Sequence, residues 1–143
     1  AMASRSLQDL TTECRNRALT TLRACKNRGV EVLIYCTYRS PEEQEYLYSL
    51  GRTRPGRKVT WARAYESWHQ FGMAFDAVPL QAGKPVWNYS PREPRWSVLA
   101  EEGKRAGLDW AGDWPRDKRE YVHFQYTGGL TLEQAREQAK RAA

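Results

Sequence analysis

Two short segments of this chain contain its only two histidines, and an acidic residue accompanies each of them. Asp76 follows His69 by seven residues, and Glu120 precedes His123 by three. Asp76 interrupts the otherwise apolar run Met-Ala-Phe-x-Ala-Val, which is predicted to form a buried strand. A buried carboxylate is costly unless it is paired or bound to a metal. Any fold that buries this run must therefore bring a positive partner to Asp76.

These groups match the needs of a hydrolytic zinc site. Three protein ligands hold a catalytic zinc, and the fourth position takes a water whose pKa the metal lowers. Two imidazoles and one carboxylate can supply the ligands, and a second carboxylate can accept the proton of the water. From the residues alone other interpretations stay open. They are a surface or hydrogen-bonded His69, a core His123, an ion pair between Asp76 and an arginine such as Arg39, and a solvated Glu120.

The segment Ser67–Asp76 resembles the signature Ser-x-His-x-x-Gly-x-Ala-x-Asp of zinc peptidases that cut bacterial cell-wall peptides. This family includes the L-alanyl-D-glutamate endopeptidases of phage endolysins and the D-alanyl-D-alanine carboxypeptidases. Glu120 and His123 match its later acidic-x-x-His motif. Further segments resemble the endolysin branch in the family's order, so the likeness runs from about Tyr38 to Gln125. They are Tyr38–Gln44, Gly51–Gly56, Val59–Thr60, Gly107–Trp110 and Gly112–Trp114.

The resemblance implies a role for each candidate metal ligand. His69, Asp76 and His123 would bind one Zn²⁺, and Glu120 would act as the general base. Asp76 and His123 lie on predicted strands and His69 on the adjoining loop, which would make the site rigid. Because residues 121 and 123 share a face of a strand, Glu120 is expected at the entrance of the strand rather than beside His123.

Two further residues are implied as contacts of the substrate. Arg39 follows a predicted strand in Tyr-Arg-Ser, the position of the family's active-site arginine. Its fork of donors suits a developing oxyanion or a substrate carboxylate, and a structural ion pair is the alternative. Ser67 is expected to bind substrate or to orient a ligand, and a turn or capping role is the alternative. Trp68, Trp110 and Trp114 are candidate walls of the cleft, and filling the core is the alternative.

The resemblance points to zinc-dependent hydrolysis of peptidoglycan stem peptides, at the L-alanyl-D-glutamate bond. Endolysin-type members more often carry Asp where this chain has Glu120, and Glu is usual in the D-alanyl-D-alanine carboxypeptidases. A carboxypeptidase or dipeptidase is therefore the alternative enzyme. A wall-binding module with structural zinc is disfavoured, because no cysteine lies near either histidine motif. A nucleic-acid-binding domain is disfavoured because its stripe of basic and aromatic residues is absent.

Length and composition predict one globular domain. The 143 residues suit a single catalytic domain at 4–143, with 1–3 set apart as a candidate cloning remnant. Three cysteines without C-x-x-C spacing indicate buried free thiols, and the net charge of +6 fits a basic surface. No apolar leader is apparent. We therefore expect a monomer made in the cytoplasm without a signal peptide, which acts on the cell wall after release and does not insert into a membrane.

The pattern of elements predicts an α+β domain. Helical spacing predicts helices at 7–28, 40–50, 93–106 and 131–142, and apolar runs predict strands at 30–36, 73–78 and 121–126. Residues 52–67 contain Gly, Pro and many charges and are predicted to form a long functional loop. The family resemblance implies a small, mainly antiparallel sheet with flanking helices, as in the Hedgehog and D,D-peptidase fold.

Overall fold

The computed structural model describes residues 3–142, so residues 1 and 2 of the candidate cloning remnant lie outside the described residues. The described chain forms four α-helices and five β-strands, which confirms the predicted α+β class. The helices are α1 Thr12–Asn27, α2 Pro41–Ser49, α3 Pro94–Arg105 and α4 Leu132–Ala142. The strands are β1 Val32–Cys36, β2 Ala74–Gln81, β3 Lys84–Pro85, β4 Asp109–Trp110 and β5 His123–Gln125.

The strands form one antiparallel sheet in the order β1-β2-β5-β4, and β3 pairs with the far end of β2. The last strand in the sequence, β5, therefore lies inside the sheet between β2 and β4. The antiparallel arrangement agrees with the expectation from the family resemblance. The two-residue strands β3 and β4 were not predicted, because two residues are too few to show a period.

The helix ends follow the predicted capping signals, with one exception. Ser40 accepts a hydrogen bond from the backbone N–H of Glu43 and caps α2, and Glu93 caps α3. The predicted helix start at Leu7 is wrong. Leu7–Asp9 form a separate 3-10 turn, and Thr11 caps α1 by accepting from the N–H of Cys14.

All three predicted strands have different bounds in the structure. β1 begins at Val32 rather than Val30, because the Val30 N–H donates to the carbonyl oxygen of Cys25 at the end of α1. β2 continues through Pro79, although a proline lacks the N–H that a central strand uses. Pro79 is tolerated because β5 pairs with β2 only at 74–76, and the Pro79 carbonyl accepts from the N–H of Val86 beside β3. β5 begins at His123 rather than Tyr121, because Tyr121 and Val122 form a turn.

The core lies between the sheet and a layer formed by α1 and α3. Phe75 of β2 stacks on Phe124 of β5 with ring centres 5.6 Å apart. Cys14 and Cys25 are buried free thiols in α1, as predicted. Burial raises the pKa of Cys14 to about 12 and that of Cys25 to about 11, so both thiols stay protonated. Within residues 3–142, no helix is long and apolar enough to span a membrane.

Candidate metal centre

Three neighbouring elements bring the two histidine segments together. His69 lies on a 3-10 turn, Trp68–Phe71, which ends at Gly72 with a φ of 67°. Asp76 lies on β2 directly opposite His123 on β5. A side chain at Gly72 would approach the carbonyl oxygen of Asp9 to 2.9 Å, so this position requires glycine for space as well as for conformation.

One carboxylate oxygen of Asp76 faces both imidazoles. Asp76 Oδ1 is 3.3 Å from His69 Nε2 and 3.6 Å from His123 Nδ1. All three residues are buried, with at most 8% of any of them exposed. The structure therefore brings together all three residues that the sequence singled out as ligands.

The other ring nitrogens are held by acceptors of the protein. His69 Nδ1 is 2.8 Å from the carbonyl oxygen of Thr37, and His123 Nε2 is 2.8 Å from Gln125 Oε1. Each contact requires the ring nitrogen to donate, which assigns the tautomer of a neutral imidazole. The lone pairs of His69 Nε2 and His123 Nδ1 then both point towards Asp76 Oδ1. Either a proton on one ring or a metal ion between the rings would balance Asp76.

The pKa values reflect the same need for positive charge. Burial lowers the pKa of the His69 imidazole, but the adjacent Asp76 carboxylate outweighs burial and raises that pKa from 6.5 to about 10. Burial acts to raise the pKa of Asp76, yet His69 and His123 hold it well below its ordinary range. A proton on His69 can thus balance Asp76, and a metal ion can take the place of that proton.

The donor set fits zinc. Atoms that coordinate a tetrahedral zinc at about 2.0–2.2 Å lie roughly 3.4 Å from one another, close to the two distances measured from Asp76 Oδ1. The acceptors on Thr37 and Gln125 orient the rings from behind, as outer contacts of metal-binding histidines do. Asp76, His69 and His123 are therefore the residues that would hold the ion.

Cys36 offers a second combination of ligands that the sequence did not indicate. Ligand atoms of Cys36, His69 and Asp76 all lie within 4.8 Å of one another. However, Cys36 Sγ lies beside His69 Nδ1, at 3.8 Å, and this nitrogen already contacts Thr37. The guanidinium of Arg39 also donates to Cys36 Sγ at 3.4 Å. We therefore favour His123 over Cys36 as the third ligand.

Arg39 lies beside the metal ligands. Its Nη2 is 3.5 Å from Asp76 Oδ2, so the ion pair considered from the sequence is present. Its Nη1 donates to Gln44 Oε1 at 2.9 Å, and its backbone N–H donates to the carbonyl oxygen of His69. The ion pair and a role towards substrate are compatible, because Arg39 also lines the cleft in front of Asp76.

A cleft of about 630 Å³ opens in front of these residues. Glu120 and Ser67 line it together with the three candidate ligands. Glu120 lies just before the turn that leads into β5, and its N–H donates to the carbonyl oxygen of Ala111. Ser67 also caps the turn that carries His69, because its hydroxyl accepts from the N–H of His69 at 3.3 Å.

The tryptophans divide between the cleft and the core. Trp68 and Trp114 line the cleft, and the Trp114 ring lies 5.4 Å from the His123 ring. The expectation that Trp110 walls the cleft is wrong, because it is only 7% exposed and packs in the core. Trp61, in the long loop, lines the cleft although the sequence did not single it out. Trp61 lies on a loop without hydrophobic periodicity, so no sequence pattern predicted its position in the cleft.

Comparison with known proteins identifies similar sequences. Residues 60–126 match the family model described as D-alanyl-D-alanine carboxypeptidase. The peptidoglycan L-alanyl-D-glutamate endopeptidase CwlK of Bacillus subtilis is 38% identical over 108 residues, which cover 71% of this chain and 64% of that protein. The L-alanyl-D-glutamate peptidase of Listeria phage A118 is 30% identical over 104 residues, which cover 72% of this chain and 34% of that protein. This chain thus spans less than two thirds of the length of either curated relative.

Solved structures share the fold. The L-Ala D-Glu endopeptidase ChiX of Serratia marcescens superposes with a TM-score of 0.60 at 21% identity, covering 88% of this chain and 89% of that one. The vancomycin-resistance D,D-pentapeptidase VanY, solved in complex with Zn(II), has a TM-score of 0.58 at 17% identity, covering 90% and 76%. The small α+β domain of this chain therefore shares the fold of these peptidases.

Proposed function

With the resemblance of this chain to the zinc peptidoglycan peptidases confirmed by these matches, we propose that it hydrolyses the L-alanyl-D-glutamate bond of peptidoglycan stem peptides in a zinc-dependent reaction. The observation that carries the proposal is the position of Asp76 Oδ1, which lies 3.3 Å from His69 Nε2 and 3.6 Å from His123 Nδ1. A zinc ion bound by these three atoms would supply a Lewis acid that polarises a carbonyl oxygen and lowers the pKa of water.

The surrounding residues have separate roles in the proposed reaction. Glu120 accepts the proton of the attacking water and passes it to the leaving amine as the peptide C–N bond breaks. Arg39 donates hydrogen bonds to the developing oxyanion or to a substrate carboxylate. Ser67 orients the turn of His69 through its hydroxyl and presents that hydroxyl to the cleft.

The choice of bond rests on the sequence relatives. CwlK and the phage A118 protein are both described as L-alanyl-D-glutamate peptidases, and both are more similar in sequence than the solved structures. The phage relative also supports a role as a cell-wall lytic endolysin. A D-alanyl-D-alanine carboxypeptidase is the second candidate, because Glu120 stands where endolysin-type members more often carry Asp.

Product analysis on purified muropeptides tests the proposal and separates the two candidates. Cleavage of the L-alanyl-D-glutamate bond leaves L-alanine as a new carboxyl end, whereas a carboxypeptidase releases free D-alanine. We expect the first product, its loss on treatment with a chelator, and its return with added Zn²⁺.

Glu120→Gln tests the base. It should keep the fold and stoichiometric zinc but lose activity by a factor of about a hundred to ten thousand. Asp113→Asn is a suitable control, because Asp113 pairs with Lys104 and does not line the cleft. Near wild-type turnover in zinc-loaded Glu120→Gln would show that another group is the base.

A further inference from the structure

Trp61 has the most exposed large apolar side chain in the described part of the chain, with 64% of its surface open. It nevertheless lines the same cleft as His69, Asp76 and His123. An open indole in a binding cleft differs from a scattered surface residue, because an apolar surface that adjoins a polar site marks a contact for a ligand.

The backbone on both sides of Trp61 is held in place. The buried amide of Gln44 donates to Thr60 Oγ1 at 3.2 Å and to the carbonyl oxygen of Ala62 at 2.6 Å. Arg52 Nη2 donates to the carbonyl oxygen of Thr60 at 3.1 Å. Trp61 is thus presented to the cleft by a fixed backbone, and a ligand that binds there does not have to order the loop first.

The two residues that flank the proposed scissile bond offer few groups that suit a flat apolar surface. L-alanine has one methyl group, and D-glutamate has a free carboxylate that suits Arg39 better than an indole. The N-terminus of the L-alanine is joined by an amide to the lactyl group of an amino sugar. A sugar ring presents a flat face of C–H groups. It precedes the scissile bond and is separated from it only by L-alanine, which spans at most about 3.6 Å, and a short linker.

We propose that Trp61 is a stacking surface for a pyranose ring of the glycan strand that carries the substrate peptide. The proposal rests on the proposed function of the neighbouring metal centre. It makes the enzyme selective for stem peptides that are still attached to glycan over free stem peptides.

The test compares two substrates with the same peptide, one attached to a disaccharide and one free. Covering one face of an indole removes on the order of 60 Å² of apolar surface from water, which corresponds to roughly a tenfold change in binding. Trp61→Ala should therefore lower kcat/KM for the disaccharide-linked substrate about tenfold and leave the free peptide unchanged. Trp61→Tyr, which keeps an aromatic face, should recover part of the loss.

Trp87→Phe is the control, because Trp87 is 55% exposed and is not among the described residues that line the cleft. A phenyl ring keeps an aromatic contact with Tyr35, on which Trp87 packs at 5.2 Å. This variant should leave kcat/KM unchanged for both substrates. If Trp61→Ala lowers kcat/KM equally for both substrates, Trp61 contacts the peptide. If kcat/KM is unchanged for both, Trp61 contacts neither the peptide nor the sugar. Either result would overturn the proposal.

A binding measurement separates this proposal from the proposed function. If the wild-type protein cleaves neither substrate, the proposed function fails, and tryptophan fluorescence is titrated with the peptide-free disaccharide. Saturable quenching that Trp61→Phe reduces and Trp87→Phe leaves unchanged would support the sugar contact. If the disaccharide causes no quenching, or quenching that is the same in Trp61→Phe, the proposed sugar contact is rejected.

Discussion

The two carboxylate oxygens of Asp76 have different neighbours. Oδ1 faces His69 and His123, and Oδ2 lies 3.5 Å from Arg39 Nη2. One oxygen is therefore available to a metal while the other keeps a permanent positive partner. This division explains how a carboxylate can be retained on a buried strand, since each oxygen has a charge to balance it.

Substitution of His123 and of Cys36 distinguishes the two sets of metal ligands. If His69, Asp76 and His123 bind the zinc, His123→Ala should lose stoichiometric metal and Cys36→Ser should retain it. Metal analysis of the purified variants measures this. Retention of zinc in His123→Ala with loss in Cys36→Ser would instead place the ion between Cys36, His69 and Asp76.

Much of the site could be predicted at the residue scale, because the chemistry is concentrated in a short motif. The spacing of His69, Asp76 and His123 carries the resemblance, and antiparallel pairing of β2 with β5 brings them together. Cys36 and Trp61 could not be found in this way. Cys36 approaches His69 through the pairing of β1 with β2, and Trp61 through hydrogen bonds of a loop without periodicity.

At the scale of elements, Gln44 connects α2 to both sides of the site. Its Oε1 accepts from Arg39 Nη1, and its amide nitrogen donates to Thr60 and Ala62 of the long loop. Gln44 is fully buried, so these bonds have no replacement from solvent. The orientation of Arg39 and the position of the loop wall therefore depend on one amide group.

Gln44→Glu should separate these two connections. The carboxylate still accepts from Arg39 but cannot donate to Ala62, so the loop wall should loosen while zinc content stays unchanged. We expect a loss of stability of about 1–3 kcal/mol and faster amide hydrogen exchange near residues 60–62. Gln138→Glu, on the exposed side of α4, is the control. Unchanged exchange in Gln44→Glu would show that other contacts hold the loop.

A second connection between elements joins the end of α1 to α3. Glu102, whose side chain is 4% exposed, accepts from Arg28 at 2.7 Å and from Arg105 at 2.6 Å. The hydrogen bond from Arg28, opposed by burial and aided by Arg105, lowers the pKa of Glu102 below its ordinary value of 4.5. The ion pairs of Glu102 with Arg28 and Arg105 thus stabilise the folded state while Glu102 is ionised.

The pH dependence of this contribution has a definite sign. Because the folded pKa is lowered, the stabilisation is present above the ordinary pKa and is lost as pH falls through the folded pKa. Glu102→Gln should therefore melt at a lower temperature than wild type near pH 7, and the difference should shrink below about pH 4. Glu101→Gln, at a half-exposed partner of Arg28, should have a smaller effect. A difference that does not depend on pH would exclude the charge as its cause.

At the scale of the whole molecule, zinc at the proposed site should stabilise the fold, because the proposed ligands come from the 3-10 turn and two strands of one sheet. Zinc at about a hundred times its dissociation constant should add roughly 2.7 kcal/mol and raise Tm by about 5–10 °C. Asp76 raises the pKa of metal-free His69, so zinc must displace a proton there. The gain in Tm should therefore shrink as pH falls.

Thermal melts with zinc and with a chelator, at several pH values, measure this gain. His123→Ala provides the control and should melt at the same temperature in both solutions. A zinc-independent Tm in the wild-type protein would mean that the ion does not join these elements in the folded state.

The position of β5 in the sheet has a consequence for synthesis of the protein on the ribosome. Among the described strands β5 is made last, yet it lies between β2 and β4. A nascent chain that has not yet released residues 123–125 from the ribosome lacks both His123 and the strand that pairs with Asp76. Domains generally fold as units during synthesis. The candidate residues His69, Asp76 and His123 can therefore come together only after all five described strands have been synthesised.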